Sequence, residues 1–381
     1  MKLFFNFRFL IPGFLLLYAL PAAAVEFSGY ISGMPSIIAM HPGGDTWHHI
    51  LVHNRLNFGQ QMTDSLRVDV GMRNRFITGS EAMLDPQGIS HDPGWADLSW
   101  NWAEGSNALA NTSFDRAFVT YEKDRLRLQV GRQRINWGQT FVWNPNDIFN
   151  TYSFFDFDYP ERPGTDAFRG TYHHSATSSS EVAMSVNHEN KITAAILHRW
   201  NSNNVDYQVI VGELAETDFV LGGSVTTDVM GLNLRSEISY FHPIKDRDDN
   251  DGTVAISVGA DYIFSNSLML QIETLYNSIG KNQPDNGLAG LYAVPLSAKN
   301  LSVSEWNLFA QVSYPITPRL NGALSGMYFV DIQSYYAGVS LDYSLAANLD
   351  LSFIAQYFAS FDNSLPNTQM FMGFTRLKYS F

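Results

Sequence analysis

The chain has no cysteine. That excludes disulfides and thiolate metal sites, and leaves stability to packing and hydrogen bonding alone. Charge is scarce, at 16% Asp, Glu, Lys and Arg, and bases are scarcer than acids, 24 against 37. The net charge of −13 argues against a nucleic-acid partner. Long apolar runs are lacking too. Beyond Leu20 no segment approaches the roughly 20 apolar residues of a membrane helix. No Gly-x-Ser-x-Gly nucleophile motif occurs.

Aromatic residues, by contrast, make up 14% of the chain, and Gly, Ser, Asn and Tyr are plentiful. At the start, Lys2 and Arg8 flank an apolar run from Phe9 to Leu20, followed by Pro21-Ala22-Ala23-Ala24. These are the parts of a secretory leader over residues 1–24, with cleavage expected after Ala24. A secreted chain without a helical span can still enter a membrane as a closed barrel, because closure pairs every backbone group internally.

Period-two alternation runs through the whole of 25–381, as in Leu66-Arg67-Val68-Asp69-Val70 and Ser267-Leu268-Met269-Leu270-Gln271-Ile272. It marks about eighteen strands, from 26–40 to 370–381, or sixteen if the weak hairpins in 179–226 are merged. Connections after even-numbered strands are short, such as 61–63 and 314–315. The long ones, 79–111, 138–163, 242–250, 278–300 and 361–369, all follow odd-numbered strands. Loops so segregated predict an all-β, antiparallel up-and-down transmembrane barrel with short turns at one end. Tyr240, Tyr262, Tyr276, Trp306, Tyr314, Tyr343 and Tyr379 fall near outward strand ends, where interfacial girdles form.

Charges within such strands should face the lumen. Alternation places Arg55, Arg67, Arg73, Arg75, Arg116, Arg127 and Arg169 inside on early strands, with Arg376 and Lys378 beside them after closure. Glu181, Asp206, Asp218, Glu237, Asp261, Glu273, Glu305, Asp342 and Asp350 face them from middle and late strands. The lumen therefore has a basic arc opposite an acidic one. The segment 130–170 is the most distinctive. Strict alternation would push Arg132 and Arg134 into lipid, and a bulge at Gly131 is expected to return both to the lumen. The loop 138–163 that follows is aromatic and acidic, and is expected to fold into the barrel with Asp147, Asp156, Asp158 and Glu161 facing the arginines.

Two resemblances sharpen these expectations. The final strand, Met370 to Phe381, is amphipathic and ends on an aromatic residue. It resembles the sorting signal of bacterial outer-membrane barrels, which implies the barrel-assembly machinery as a partner and outer-membrane lipid as the surroundings. The run Val130-Gly131-Arg132-Gln133-Arg134 with Trp137-Gly138 resembles a motif of outer-membrane porin-like barrels, including alginate-export proteins. That likeness spans about forty residues and implies an arginine-lined pore containing Arg132 and Arg134.

The expected function is a porin-like channel in the bacterial outer membrane for passive diffusion of small hydrophilic solutes. Arg67, Arg73, Arg75, Arg132, Arg134 and Arg169 are the candidate lining of one wall, with Asp156, Asp158 and Glu161 opposite on the loop. A pore dedicated to anions or acidic polysaccharide, an outer-membrane enzyme and a closed structural barrel are the alternatives. For an enzyme the candidate histidines are His48, His49, His53, His173 and His174. No catalytic residue, metal or cofactor is expected. The acidic run from Asp246 to Gly252 fails the calcium-loop register, because Asp251 stands where glycine is required.

Overall fold

The computed structural model describes residues 25–41, 43–44, 46–80, 92–244, 252–282, 296–360 and 368–381. The leader expected over 1–24 and all of the acidic run but Gly252 lie outside the described residues. The strands are β1 (Val25–His41), β2 (Thr46–Thr63), β3 (Leu66–Gly79), β4 (Ser99–Glu104), β5 (Ala108–Lys123), β6 (Leu126–Gln133) and β7 (Thr165–Ser175). They continue as β8 (Ser178–Val186), β9 (Ile192–Ser202), β10 (Val205–Leu214), β11 (Asp218–Val229), β12 (Leu232–Pro243) and β13 (Thr253–Ile263). The last are β14 (Met269–Asn277), β15 (Trp306–Thr317), β16 (Leu320–Phe329), β17 (Ser334–Ala346), β18 (Leu349–Ser360) and β19 (Gln369–Ser380).

Nineteen strands less the side strand β4 leaves eighteen in one closed antiparallel ring. Closure runs through β1, whose Tyr30 to Gly33 and Ser36 to His41 pair with β19 while Val25 to Ala39 pair with β2. Gly29 and Phe381 exchange both backbone hydrogen bonds at the seam. The alternation is legible in β11. Asp218, Val220, Gly222 and Ser224 are turned inward, while Phe219, Leu221 and Val225 stand exposed on the outside. Both ends of the ring's chain lie with the short turns, among them Asn203-Asn204 and Met230-Gly231. Positive φ at both residues of each suits a two-residue hairpin.

Strand β6 stops at Gln133, and the chain then leaves the wall until Thr165. The wall above β6 would be open there. Strand β4, which sequence alone placed inside a long loop, fills the gap by pairing with the upper half of β5. Gly94 bridges to Asn187 beyond β8, so the segment from Asp92 onward roofs the notch.

Arg132 locks that roof. No register shift occurs through Gly131 on either side, so Arg132 keeps the face of Val130 and Phe168, the outer one. The bulge expected at Gly131 lies instead at Asp115 of β5, the extra residue between the pairs Gly71–Arg116 and Met72–Phe114. Gly131 itself has φ +117°, and a Cβ there would meet the Ala117 carbonyl at 2.2 Å, so glycine is required without a bulge. Covered by segment 92–98, the Arg132 guanidinium is 4% exposed and uses all five donors. It gives two bonds of 2.8 Å to Asp166, one of 2.5 Å to Asp92, and one each to the Ala96 and Phe114 carbonyls.

Removing one partner of a buried ion pair strands the other charge and costs about 3–5 kcal/mol. Arg132→Gln should therefore lower the temperature at which the folded barrel unfolds on an unboiled gel, while leaving ion selectivity unchanged. A selectivity shift without loss of stability would contradict this placement.

Candidate functional site

The segment 134–164 between β6 and β7 crosses the interior and touches the wall on opposite sides. A chain inside a wide barrel must pair its backbone groups with something other than sheet neighbours. Two wall carboxylates do this. Glu237 of β12, fully buried, accepts the backbone N–H groups of Gln139, Thr140 (2.7 Å) and Asn146 (3.0 Å), and the Thr140 hydroxyl. Glu273 of β14 accepts those of Phe141 (2.7 Å), Val142 (3.0 Å) and Trp143 (2.7 Å), and the Ser257 hydroxyl. Trp137 donates its indole N–H to Glu181 of β8 at 2.5 Å, and Gln208 of β10 donates to the Trp137 carbonyl.

The second half of the segment is aromatic and lands on the far wall. Phe154 and Phe155 pack on Phe309, Tyr336 and Phe358. Phe157 packs on Phe374 of β19, with ring centroids 4.8 Å apart. Its acidic face then meets the basic arc. Asp158 lies 3.5 Å from Arg73, and Arg73 stacks 3.7 Å from the Tyr159 ring and donates to His53. Tyr159 donates to Asp115, which also holds Arg55. Glu161 accepts the Tyr30 hydroxyl, and Arg116 donates to the Glu161 and Arg162 carbonyls at 2.6 and 3.0 Å.

The nine residues proposed from sequence therefore fall into four places. Arg73, Arg75, Asp156, Asp158 and Glu161 lie at the contact between the segment and the β1–β5 wall, with Arg75 donating to Asn111. Arg67, held by Glu26 and Asp69, and Arg169, held by Glu181, lie nearer the short turns. Arg134 sits at the root of the segment, 5.7 Å from the Tyr152 ring, and Arg132 is in the outer wall. Reading by alternation assigned Glu237 and Glu273 to the lumen but not as anchors. Alternation gives the face of a strand residue and not what meets it there. Asp115 was missed because the bulge inverts its face.

Two cavities open on the turn side of the segment. One of about 270 Å³ is lined by Glu26, Asn57, Arg67, Asp69 and Arg116. The other, about 320 Å³, is lined by Gln139, His173, Arg199, Asp206, Gln208 and Thr226. The acidic arc is largely occupied: Glu181, Glu237 and Glu273 hold the segment, and Asp261 holds Arg235. Part of the basic arc is not. Among the described residues Arg116 donates to carbonyls, Arg376 to Ser352 and the Phe157 carbonyl, and Lys378 lies over the Tyr30 ring at 4.2 Å.

Burial pushes the Asp147 carboxyl within the segment up to about 7, and that of Asp156 in the same direction. An acid whose folded value lies above its unfolded one favours the folded arrangement only while protonated. The resulting penalty is absent below the ordinary carboxylate range, grows as pH rises, and is complete above about 7. Backbone amides of 135–150 should accordingly exchange faster at pH 8 than at pH 5, after correction for intrinsic rates. Asp147→Asn should flatten that dependence. An unchanged profile in Asp147→Asn would assign it to another group.

No family model matches the chain, and no curated protein matches it in sequence. Its fold does match solved outer-membrane porins. Acinetobacter baumannii OccAB4 aligns with a TM-score of 0.59 at 10% identity, covering 93% of this chain and 98% of that one. Pseudomonas aeruginosa OccK2 (OpdF) aligns at 0.59 and 10% identity, covering 94% and 98%. Pseudomonas aeruginosa OpdK, in a structure with vanillate, aligns at 0.56 and 8% identity, covering 93% and 99%. At such identities the likeness is one of fold: this chain is an eighteen-stranded barrel of the same architecture as those porins.

Proposed function

We propose that this chain is a porin-like channel of the bacterial outer membrane, through which small hydrophilic solutes diffuse passively. The observation that carries the reading is a ring of eighteen strands with one packed segment across it. Barrels near eight strands are filled by their own side chains, whereas this ring is too wide for that and is narrowed instead by a tethered insert. The leader over 1–24 and a closing strand read by the barrel-assembly machinery through Phe381 belong to the same proposal. Short turns then face the periplasm.

Anionic solutes are favoured within that class. Arg116, Arg376 and Lys378 form no ion pair among the described residues, although Asp350 stands opposite Lys378 in the sheet, and they give one wall a basic character. One fold neighbour is a structure with vanillate, a small carboxylate. The likeness of 130–138 to alginate-export barrels would extend the class to an acidic polymer. The crossing segment and the placement of Arg132 in the outer wall speak for small solutes instead. Passage is favoured over catalysis, since His53 is enclosed between Arg73 and Asp158.

Single-channel recording of the refolded mature protein in a planar bilayer tests this. Stepwise conductance with an anion-selective reversal potential under a KCl gradient is expected. Replacing Arg116, Arg376 and Lys378 together by Gln should shift that potential toward zero. A bilayer that stays silent across many insertions would refute the channel.

The double variant Glu237→Gln, Glu273→Gln addresses the insert. It exchanges charge-assisted bonds to backbone N–H groups for neutral ones about half as strong. Larger and noisier conductance steps are expected. Wild-type steps would mean that these carboxylates do not set the opening.

A further inference from the structure

On the outer face of β7–β10, next to the short turns, a polar cluster interrupts the apolar wall. His174 Nε2 lies 2.8 Å from Ser180 Oγ, which lies 3.0 Å from His198 Nδ1. The rings continue as a row: Tyr172 to His174 at 5.1 Å, His198 to Trp200 at 5.4 Å, and Trp200 to Tyr207 at 5.3 Å. On the same faces toward mid-barrel stand Val182, Met184, Ile196, Val209 and Val211, all exposed and apolar. The cluster therefore marks the edge of the apolar band on the turn side. Arg125, in the adjoining turn, donates to the His174 carbonyl at 3.2 Å.

An aromatic girdle alone needs rings, not a relay. The seam has Tyr379 with Phe381, and β13 has Tyr262 with Phe264, without imidazole. The relay has a chemical consequence. The Ser180 hydroxyl holds one hydrogen, so with neutral rings it donates to one imidazole and accepts from the other. The ring that accepts must carry its own proton on its outer nitrogen. One imidazole N–H is thus fixed pointing away from Ser180, beside an exposed guanidinium and above a flat aromatic row.

We propose that His174, Ser180, His198 and Arg125 form a site for a phosphodiester group, the headgroup of an anionic phospholipid in the periplasmic leaflet. The acyl chains would lie along the apolar faces of Val182, Ile196 and Val209. The occupant is a lipid rather than a free anion because the donors, the exposed Arg125 guanidinium among them, border the band that such chains cover. This rests on the barrel spanning the membrane, and not on its conducting ions.

Native mass spectrometry of the mature barrel loaded with phosphatidylglycerol provides the test. Wild type is expected to retain one lipid more firmly than the double variant His174→Phe, His198→Phe, which keeps the ring row and loses the nitrogens. The affinity loss should be about tenfold, the scale of one charge-assisted bond. Arg125→Gln, in an exposed turn and safe for folding, should lose a similar factor. Inorganic phosphate at millimolar concentration should not displace the lipid. Equal retention by all three proteins would overturn the site, and full displacement by phosphate would overturn the lipid as its occupant. A wild-type chain that fails to insert into bilayers would instead fail the membrane reading, before any lipid is counted.

Discussion

Everything inside this barrel depends on a need of the backbone. A segment that leaves the sheet and crosses the interior brings N–H groups with no strand to pair them, and a buried unpaired N–H costs about 1–3 kcal/mol. The wall supplies acceptors of high capacity, the carboxylates Glu237 and Glu273, each taking three consecutive or nearby N–H groups. A carboxylate offers about four lone-pair sites, so two side chains do what several amides would otherwise be needed for. Those two residues are on alternate strands, β12 and β14, so they grip the segment at two points along its length and fix its direction across the lumen.

That choice of anchor also decides the electrostatics. Alternation sorts bases to one arc and acids to the other, which would suggest a balanced transverse field. The acids, however, are turned to structural use, their charge met by backbone N–H groups and by the Trp137 indole. On the opposite wall Asp115, Asp158 and Glu161 engage Arg55, Arg73 and Tyr30, yet Arg116, Arg376 and Lys378 form no ion pair among the described residues. A chain with net charge −13 thus gathers basic side chains on one inner wall. Net charge is a poor guide to a lumen, because it sums groups that face lipid boundaries, loops and buried contacts alike.

Period two carried most of the fold. Eighteen strands, the segregation of short turns to one end, and the inward side of residues such as Arg55, Glu237 and Glu273 all follow from alternation, because the outer face of the wall is apolar and the inner one polar. Alternation fails where a strand has a different neighbour along its length. Ser99–Glu104 pairs with β5 through five registered pairs, and its alternation, Trp100 and Trp102 against Ser99 and Asn101, is too short to separate it from the long connection 79–111. Asp115 fails for a related reason: one inserted residue inverts its face, while the glycine that suggests a bulge, Gly131, has its positive φ for close backbone approach instead.

Arg132 shows why the inner segment and the outer wall are one construction. Because β6 ends at Gln133 so that the chain can turn inward, β5 loses its neighbour over its upper half. An unpaired strand edge in an apolar outer wall is costly, since its N–H and C=O groups are left without partners. Strand β4 takes that edge, but it is short, exposed, and joined to the barrel by few pairs. Something must hold the roof where sheet hydrogen bonds are few. Arg132, the last outward residue before the chain departs, does so by reaching Asp92 and the Ala96 carbonyl above it while gripping Asp166 on β7 beside it. Its five donors tie together the strand that leaves, the strand to which the chain returns, and the cover over the gap between them. An arginine in this position is thus the counterpart of the insert itself: the wider the excursion into the lumen, the more the vacated wall depends on a side chain to close it.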